Sequence, residues 1–227
     1  MSALIFTLKP TLKQNQLCKV NCGRLTPNEL VGLSLAQIQH LNLSNQYSTK
    51  VADYFDVSGS DSSQIIFKNS NAYLNHIGHK MAFGQITVEN DCGDFLGANM
   101  QGGTIICNGN AGDRLGDKMR RGLILVDGNV GNYCASRMVA GTIGVYGSVG
   151  NYMGFDMKRG TVLLTQTPKL HATIQDCGTH TLPFLVLLYQ SFKSLATRFN
   201  KISCQRVQRY AGDLACNGNG EVLVLVP

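Results

Sequence analysis

The sequence has no tryptophan, only five prolines, and charged residues at just 15% of its 227 positions. So few prolines exclude a proline-rich linker, and 44% hydrophobic content excludes a disordered chain. No apolar run approaches the roughly twenty residues that span a membrane. The longest surrounds Leu185 and Leu188, and the opening MSALIFTLKP has no basic stretch ahead of its apolar residues. A cytoplasmic protein without membrane attachment is expected. The eight cysteines form no CxxC pair, and Cys18 and Cys22 lack the second pair that a zinc or iron–sulfur site needs. Reduced thiols in a reducing compartment are expected. The net charge of +6 is modest, suiting an acidic partner or ligand and falling short of a nucleic-acid footprint.

Glycine, in contrast, is abundant at 25 residues, and its placement reveals an internal repeat. Methionine recurs at Met81, Met100, Met119, Met138 and Met157, every 19 residues, each followed three residues later by Gly84, Gly103, Gly122, Gly141 or Gly160. Three further glycine columns keep the register: Gly109, Gly128 and Gly147; Gly93, Gly112, Gly131 and Gly150; and Gly97, Gly116 and Gly154, with Ala135 as the exception. A degenerate row over 62–80 retains Gly78, and the row starting at Met157 loses its glycines after Gly160, as terminal rows do.

After each Met-x-x-Gly corner the residues alternate. Ile86, Ile105, Ile124, Ile143 and Val162 share one parity with Val88, Cys107, Val126, Val145 and Leu164. That is a strand with one buried face. One short strand per row cannot bury its face alone, so the rows must stack, each apolar column forming a ladder. Cys92, Ala111, Val130 and Val149, then Leu96, Leu115, Cys134 and Met153, are expected as further inward ladders. The expected fold is mainly β, a parallel β-solenoid with 19-residue coils. Such coils are too long for the hexapeptide left-handed form, which favours the right-handed one. Glycine corners are expected to turn at positive φ.

The flanks suggest three segments in one domain: a cap over 1–61, the solenoid over 62–175 and a closing segment over 176–227. Thr26-Pro27-Asn28-Glu29 and Ser34-Leu35-Ala36-Gln37 read as capping boxes opening two short helices. IFTLKP reads as a strand covering one end of the stack. Over Leu182 to Ile202, Leu185, Leu188, Phe192, Leu195 and Phe199 mark an amphipathic helix. Asn217-Gly218-Asn219-Gly220 then precedes an apolar terminal strand.

Chemistry-bearing motifs are sparse. His76-Ile77-Gly78-His79 spells a synthetase-like HIGH, but no lysine-rich partner motif follows and Gly78 belongs to the repeat. His76 and His79 could be two ligands of a metal, with no third nearby. His171, Asp176, Cys177 and His180 supply the residue types of a nucleophile and base, against which stands a loop ending the last coil. GNAGDRLG and GNVGNY look like phosphate loops but match neither GxGxxG nor GK[ST], and fit solenoid corners instead. One polar feature recurs: Lys80, Lys118 and Arg137 before the methionines, and Arg120, Arg121, Lys158 and Arg159 after them. Stacked rows would gather these along one edge, either as a solvated corner or as a basic stripe for an acidic partner or polyanion. Interleaved aromatics are lacking, which argues against single-stranded nucleic acid.

With its glycine columns, LTPNELVGLS, YFDVSG and RYAGDLACNGNGEVLV, the chain resembles the C subunit of formylmethanofuran dehydrogenase and, equally, that of the bacterial formyltransferase/hydrolase complex. The resemblance covers most of the chain. A wider similarity, confined to the repeat, is to the GXGXG domain of the glutamate synthase large subunit. What the resemblance implies is a non-catalytic scaffold in one-carbon metabolism and methylotrophy, with no catalytic residue or cofactor of its own. Its complex would act on a methanofuran-type coenzyme, whose glutamate tails could meet the basic stripe. Its partners would be amidohydrolase-like and formyltransferase-like chains, or a molybdopterin-type subunit in the molybdenum or tungsten dehydrogenase. The formyltransferase/hydrolase complex is the preferred reading. An independent β-solenoid hydrolase and an ammonia-routing, amidotransferase-like domain are the alternatives of other classes.

Overall fold

The computed structural model describes residues 2–10, 19–43 and 49–226; Cys18 lies outside them. The described chain is mainly β, with one eleven-stranded mixed sheet, a two-stranded sheet and four short α-helices.

Five strands carry the repeat: β6 (Gln85–Val88), β7 (Thr104–Cys107), β8 (Leu123–Val126), β9 (Thr142–Val145) and β10 (Thr161–Leu164). Numbering in chain order places β1 to β5 before them. Each pairs in parallel with the next, Ile86 opposite Ile105, Ile105 opposite Ile124, and Ile124 opposite Ile143. Both expected ladders are fully buried, from Ile86 and Val88 to Val162 and Leu164. A second face stacks through the bridges Ala111–Val130 and Val130–Val149. Leu96, Leu115, Cys134 and Met153 face inward and are buried as well.

The methionine and glycine columns are coupled between rows. All five methionines are buried, and a Cβ at Gly103, Gly122, Gly141 or Gly160 would lie 2.7–2.8 Å from the Cε of the methionine one row earlier. Two side-chain ladders reinforce the stack. Asn75, Asp94, Asp113 and Asn132 each accept, through Oδ1, the backbone N–H of the residue 19 later, at 2.6–3.0 Å. Asp91, Asn110 and Asn129 do the same at 2.7–2.9 Å. These short side chains satisfy corner N–H groups that the strands leave unpaired.

Glycine serves two different needs. Gly116 sits at φ +64, whereas Gly112 does not have a positive φ, contrary to the expectation for corners. Gly112 is required by close approach: a Cβ there would overlap Asp94 Oδ1 and lie 2.7 Å from the Gly93 carbonyl carbon. Valine at 112 is therefore excluded by sterics and not by backbone conformation.

The N-terminal segment closes one end. β1 (Ala3–Leu8) runs parallel to β4 (Asp61–Lys68) and antiparallel to β3 (Phe55–Ser58), which is the end strand here. Phe6, Phe55 and Phe67 pack together beneath them. β2 (Val20–Asn21) pairs in parallel with β5 (Leu74–Asn75), covering the second face of the first row. Three short helices form here where two were expected: α1 (Pro27–Leu30), α2 (Leu35–Gln39) and α3 (Val51–Tyr54). The Ser34 capping box is present. The Thr26 box is not, since the buried Thr26 hydroxyl has no partner and only its backbone carbonyl receives Glu29 and Leu30 N–H. The unexpected α3 is opened by the Asp53 carboxylate accepting Lys50 N–H at 2.7 Å.

The degenerate row departs from the period. Ile65 lies opposite Ile86, a shift of 21, although Gly97 N–H still meets the Ile77 carbonyl as Gly116 N–H meets that of Leu96. Two extra residues are therefore absorbed between Lys68 and Leu74.

At the other end, β13 (Gly220–Leu225) pairs in parallel with β10 in the place of a further row. Gly220 packs on Met157 as the repeat glycines do on theirs. β12 (Arg206–Gly212) and β11 (Gln175–Thr181) continue the sheet antiparallel. The expected helix over 182–202 is shorter. α4 spans Phe184–Phe192, and the chain resumes as a 3₁₀ turn at Arg198–Lys201. The cause is Asp127, whose carboxylate holds Thr197 Oγ1 at 2.5 Å and Arg198 N–H at 3.0 Å, redirecting the chain. Phe199 then enters the notch above Gly144, within a second core with Leu125, Leu163, Phe192 and Leu223.

Candidate functional site

The polar features lie on the corners of the rows. Each row spends three left-handed residues on one arc. The first forms the column His76, Phe95, Arg114, Tyr133 and Tyr152, and the last Lys80, Asn99, Lys118, Arg137 and Asp156, all at φ between 55 and 63. The middle column, Gly78, Gly97, Gly116 and Gly154, is interrupted by Ala135 at φ 58. Gly78 of the HIGH tetrapeptide thus fills a repeat position, where a Cβ would overlap Ile105 Cδ1.

The first column stacks side chain on side chain. His76 lies 4.7 Å from Phe95, Arg114 lies 4.8 Å from the Tyr133 ring, and Tyr133 lies 5.0 Å from Tyr152. Aromatics are therefore organised on the surface where the sequence suggested none. The His76 and His79 rings meet edge to face at 5.6 Å. Burial holds both below the ordinary histidine pKa, with Lys80 adding to the effect at His79. Among the described residues no group of three or more His, Cys, Asp or Glu could hold a metal ion.

The basic residues share the methionine corner, but two are already paired. Arg137 grips Asp117 through Nε at 2.9 Å and Nη2 at 2.6 Å, and Ser136 Oγ donates to the same carboxylate at 2.7 Å. Asp117 is only 4% exposed, so this pairing compensates the charge of a buried carboxylate. Lys158 binds Asp156 at 2.9 Å. Lys80, Lys118, Arg120, Arg121 and Arg159 are exposed and form no ion pair among the described residues. Arg120 and Arg121 are two rows, about 10 Å, from Lys158 and Arg159. The intervening row carries Val139 and Ala140.

The nucleophile-and-base residues are not assembled. His171 Nε2 meets the Met153 carbonyl at 3.2 Å, and Nδ1 meets Thr173 Oγ1 at 2.7 Å. Asp176 accepts Gly178 N–H at 2.7 Å and the Gln208 amide. His180 Nε2 contacts the carbonyl oxygen of Cys177 and not its thiol, which donates to the Gln175 carbonyl at 3.6 Å. Asp176, Cys177 and His180 lie on β11, an edge strand where a loop was expected. Its polar sequence gives no alternation, and its form is set by pairing with β12.

The flanking segments close the stack at both ends. In regular rows Asn99, Lys118 and Arg137 N–H each donate to a carbonyl one row on. Asp156 has no such row, and its N–H donates instead to Asp213 Oδ2 at 3.0 Å. At the opposite end Ala82 N–H donates to Asn28 Oδ1 at 3.1 Å. LTPNEL and RYAGDLACNGNG thus supply the acceptors missing at the two ends. No helix among the described residues is long and apolar enough to cross a membrane.

No protein-family profile matches the chain, and no curated protein matches it. A solved structure does: a chain of the formyltransferase/hydrolase complex (FhcABCD) from Methylorubrum extorquens, crystallised with methylofuran. It is 31% identical, with a TM-score of 0.64, over 98% of this chain and 100% of that one. The likeness takes in the end caps as well as the rows, and the chain belongs to the family of that enzyme-complex subunit.

Proposed function

We propose that this chain is the C subunit of a formyltransferase/hydrolase complex in one-carbon metabolism, a non-catalytic scaffold. The complex would release formate from a formylated methanofuran-type coenzyme in the cytoplasm. The observation that carries this reading is the full-length likeness to a subunit of such a complex. On this reading the rows over 62–175 form a right-handed parallel β-solenoid, closed by 1–61 and 176–227. Its partners are amidohydrolase-like and formyltransferase-like chains. Their chemistry needs no contribution from His171, Asp176, Cys177 or His180, consistent with the separate hydrogen bonds those residues make. The test is formate release from the formylated coenzyme. The isolated chain should release none, and the assembled complex should be fully active with Cys177→Ala in place. Release by the isolated chain, lost in Cys177→Ala, would contradict the proposal.

The unpaired corner cations Lys80, Lys118, Arg120, Arg121 and Arg159 serve in this reading as an edge that docks an acidic partner surface or polyanion. Removing their charge acts mainly on association at low salt, because exposed charges are screened beyond about 10 Å at 0.1 M. Arg120→Glu with Arg121→Glu should weaken subunit assembly by about tenfold or more in low-salt buffer, and less as salt rises. Unchanged assembly at every salt concentration would return these residues to a solvated corner.

A further inference from the structure

The turn after α4 borders an open groove of about 590 Å³ on the outer face of the sheet, lined in part by Asn108, Asp127, Tyr146, Arg198, Asn200 and Lys201. That volume suits a small ligand. Its one carboxylate is already committed, since Asp127 receives Thr197 Oγ1 at 2.5 Å and Arg198 backbone N–H at 3.0 and 3.1 Å. The Arg198 guanidinium is held elsewhere, 3.7 Å above the Tyr146 ring, with Nη1 3.5 Å from the Asp127 carbonyl. Tyr146 is fixed in turn, edge to face with Phe199 at 6.0 Å. Among the described residues the guanidinium makes no ion pair and no other hydrogen bond, so most of its N–H groups are left open for a ligand at the rim of this site. Lys201 adds a second cation from the same turn, and Asn108 and Asn200 add amides.

A planar fork fixed by an aromatic ring, with a second cation lining the same groove, is arranged for an oxyanion. We infer that this groove binds a small ligand through a carboxylate or phosphate group, held by Arg198 and Lys201. None of the residues lining the site belongs to the methionine corner.

The test titrates the full chain with inorganic phosphate and, separately, succinate, following amide chemical shifts. At least one anion should give saturable shifts at Asn108, Tyr146 and Asn200, and the tighter binder identifies the group recognised. Arg198→Gln should weaken that binding about tenfold or more, and Arg198→Lys, which keeps the charge but loses the fork, by a smaller factor. Arg24→Gln, an exposed cation in the N-terminal segment, should leave it unchanged. Arg198→Gln keeps the backbone N–H that binds Asp127, and Lys201→Gln provides the same loss of affinity should that variant not fold. No saturable shift with either anion up to about 10 mM, equal binding by the Arg198 and Lys201 variants, or equal weakening by Arg24→Gln would overturn the inference.

Discussion

Gly116→Ala is expected to destabilise the chain by about 2 to 5 kcal/mol, and Ile143→Val in the same molecule to recover part of that loss. Two costs combine in the single variant. A side chain at φ +64 is disfavoured by about 1 to 2 kcal/mol. Its Cβ would also overlap Ile143 Cδ1, and overpacking costs about 1 to 3 kcal/mol. Valine has no Cδ1, so Ile143→Val removes the overlap while costing about 0.5 to 1.5 kcal/mol on its own. The repeat contains this compensation already. Gly78, Gly97 and Gly116 each face an isoleucine 27 residues on, namely Ile105, Ile124 and Ile143. Ala135 is the exception in the column, and 27 residues beyond it stands Val162. The reciprocal variant, Val162→Ile, should therefore destabilise, with Ala135→Gly relieving it. Urea denaturation of the four-member cycle for 116 and 143 measures the coupling, expected at about 1 to 2 kcal/mol. Strict additivity would mean that the two columns do not meet across rows.

Asp213 carries the second large effect. It is 3% exposed and accepts Asp156 N–H at 3.0 Å and Ala215 N–H at 3.0 Å, so its loss leaves buried donors unpaired at the end of the stack. Burial alone would raise its pKa, but hydrogen bonds from Thr173, Asp156 and Ala215, with the nearby His171, bring it below the ordinary aspartate value. A carboxyl whose folded pKa is depressed contributes stability above its unfolded pKa, about 4, and loses it as pH falls through the folded value. Asp213→Asn should therefore cost about 2 to 4 kcal/mol at pH 7, through lost charge-assisted hydrogen bonds and an amide facing donors. The gap between the two proteins should narrow below about pH 4. Denaturation at pH 7 and pH 3.5 checks both parts. A variant as stable as the wild type at pH 7 would mean that Asp213 does not cap the stack.

The parts of this fold legible from the residues are those written repeatedly. Five methionines and their glycines, 19 residues apart, place every inward column, because an error in one row is corrected by the others. The glycines' reasons were less legible, since a column marks that a Cβ is excluded without telling whether φ or a neighbour excludes it. Gly116 answers to both, and Gly112 to the neighbour alone. The Asn and Asp ladders share the same period, but their role depends on a side chain reaching the next row's N–H. The stacked column from His76 to Tyr152 was hidden for the opposite reason: bulky residues resist left-handed φ, so nothing local points to them.

Single contacts account for the remaining departures. Asp127 breaks the expected C-terminal helix by holding Thr197 and Arg198, 70 and 71 residues away. Arg137 leaves the basic stripe because Asp117, one row earlier, takes its charge. Pairing with β12 turns 175–181 into a strand although its residues show no alternation. For the candidate site, the repeat makes the shared corner of the cations legible, but which of them are paired is set by contacts across rows, such as that of Arg137 with Asp117. The Arg198 groove was not legible, because its residues come from segments far apart in the chain.

The central proposal, that the stacked rows serve as a scaffold within a formyltransferase/hydrolase complex, is tested most directly by isolating the tagged chain from its native host under mild conditions. Mass spectrometry then identifies what accompanies it, with formyl transfer and formate release assayed in the same fraction. Amidohydrolase-like and formyltransferase-like chains in fixed proportion, with activity that follows them, are the predicted result. A chain that emerges alone, or one accompanied by a molybdopterin-type subunit in their place, would contradict it.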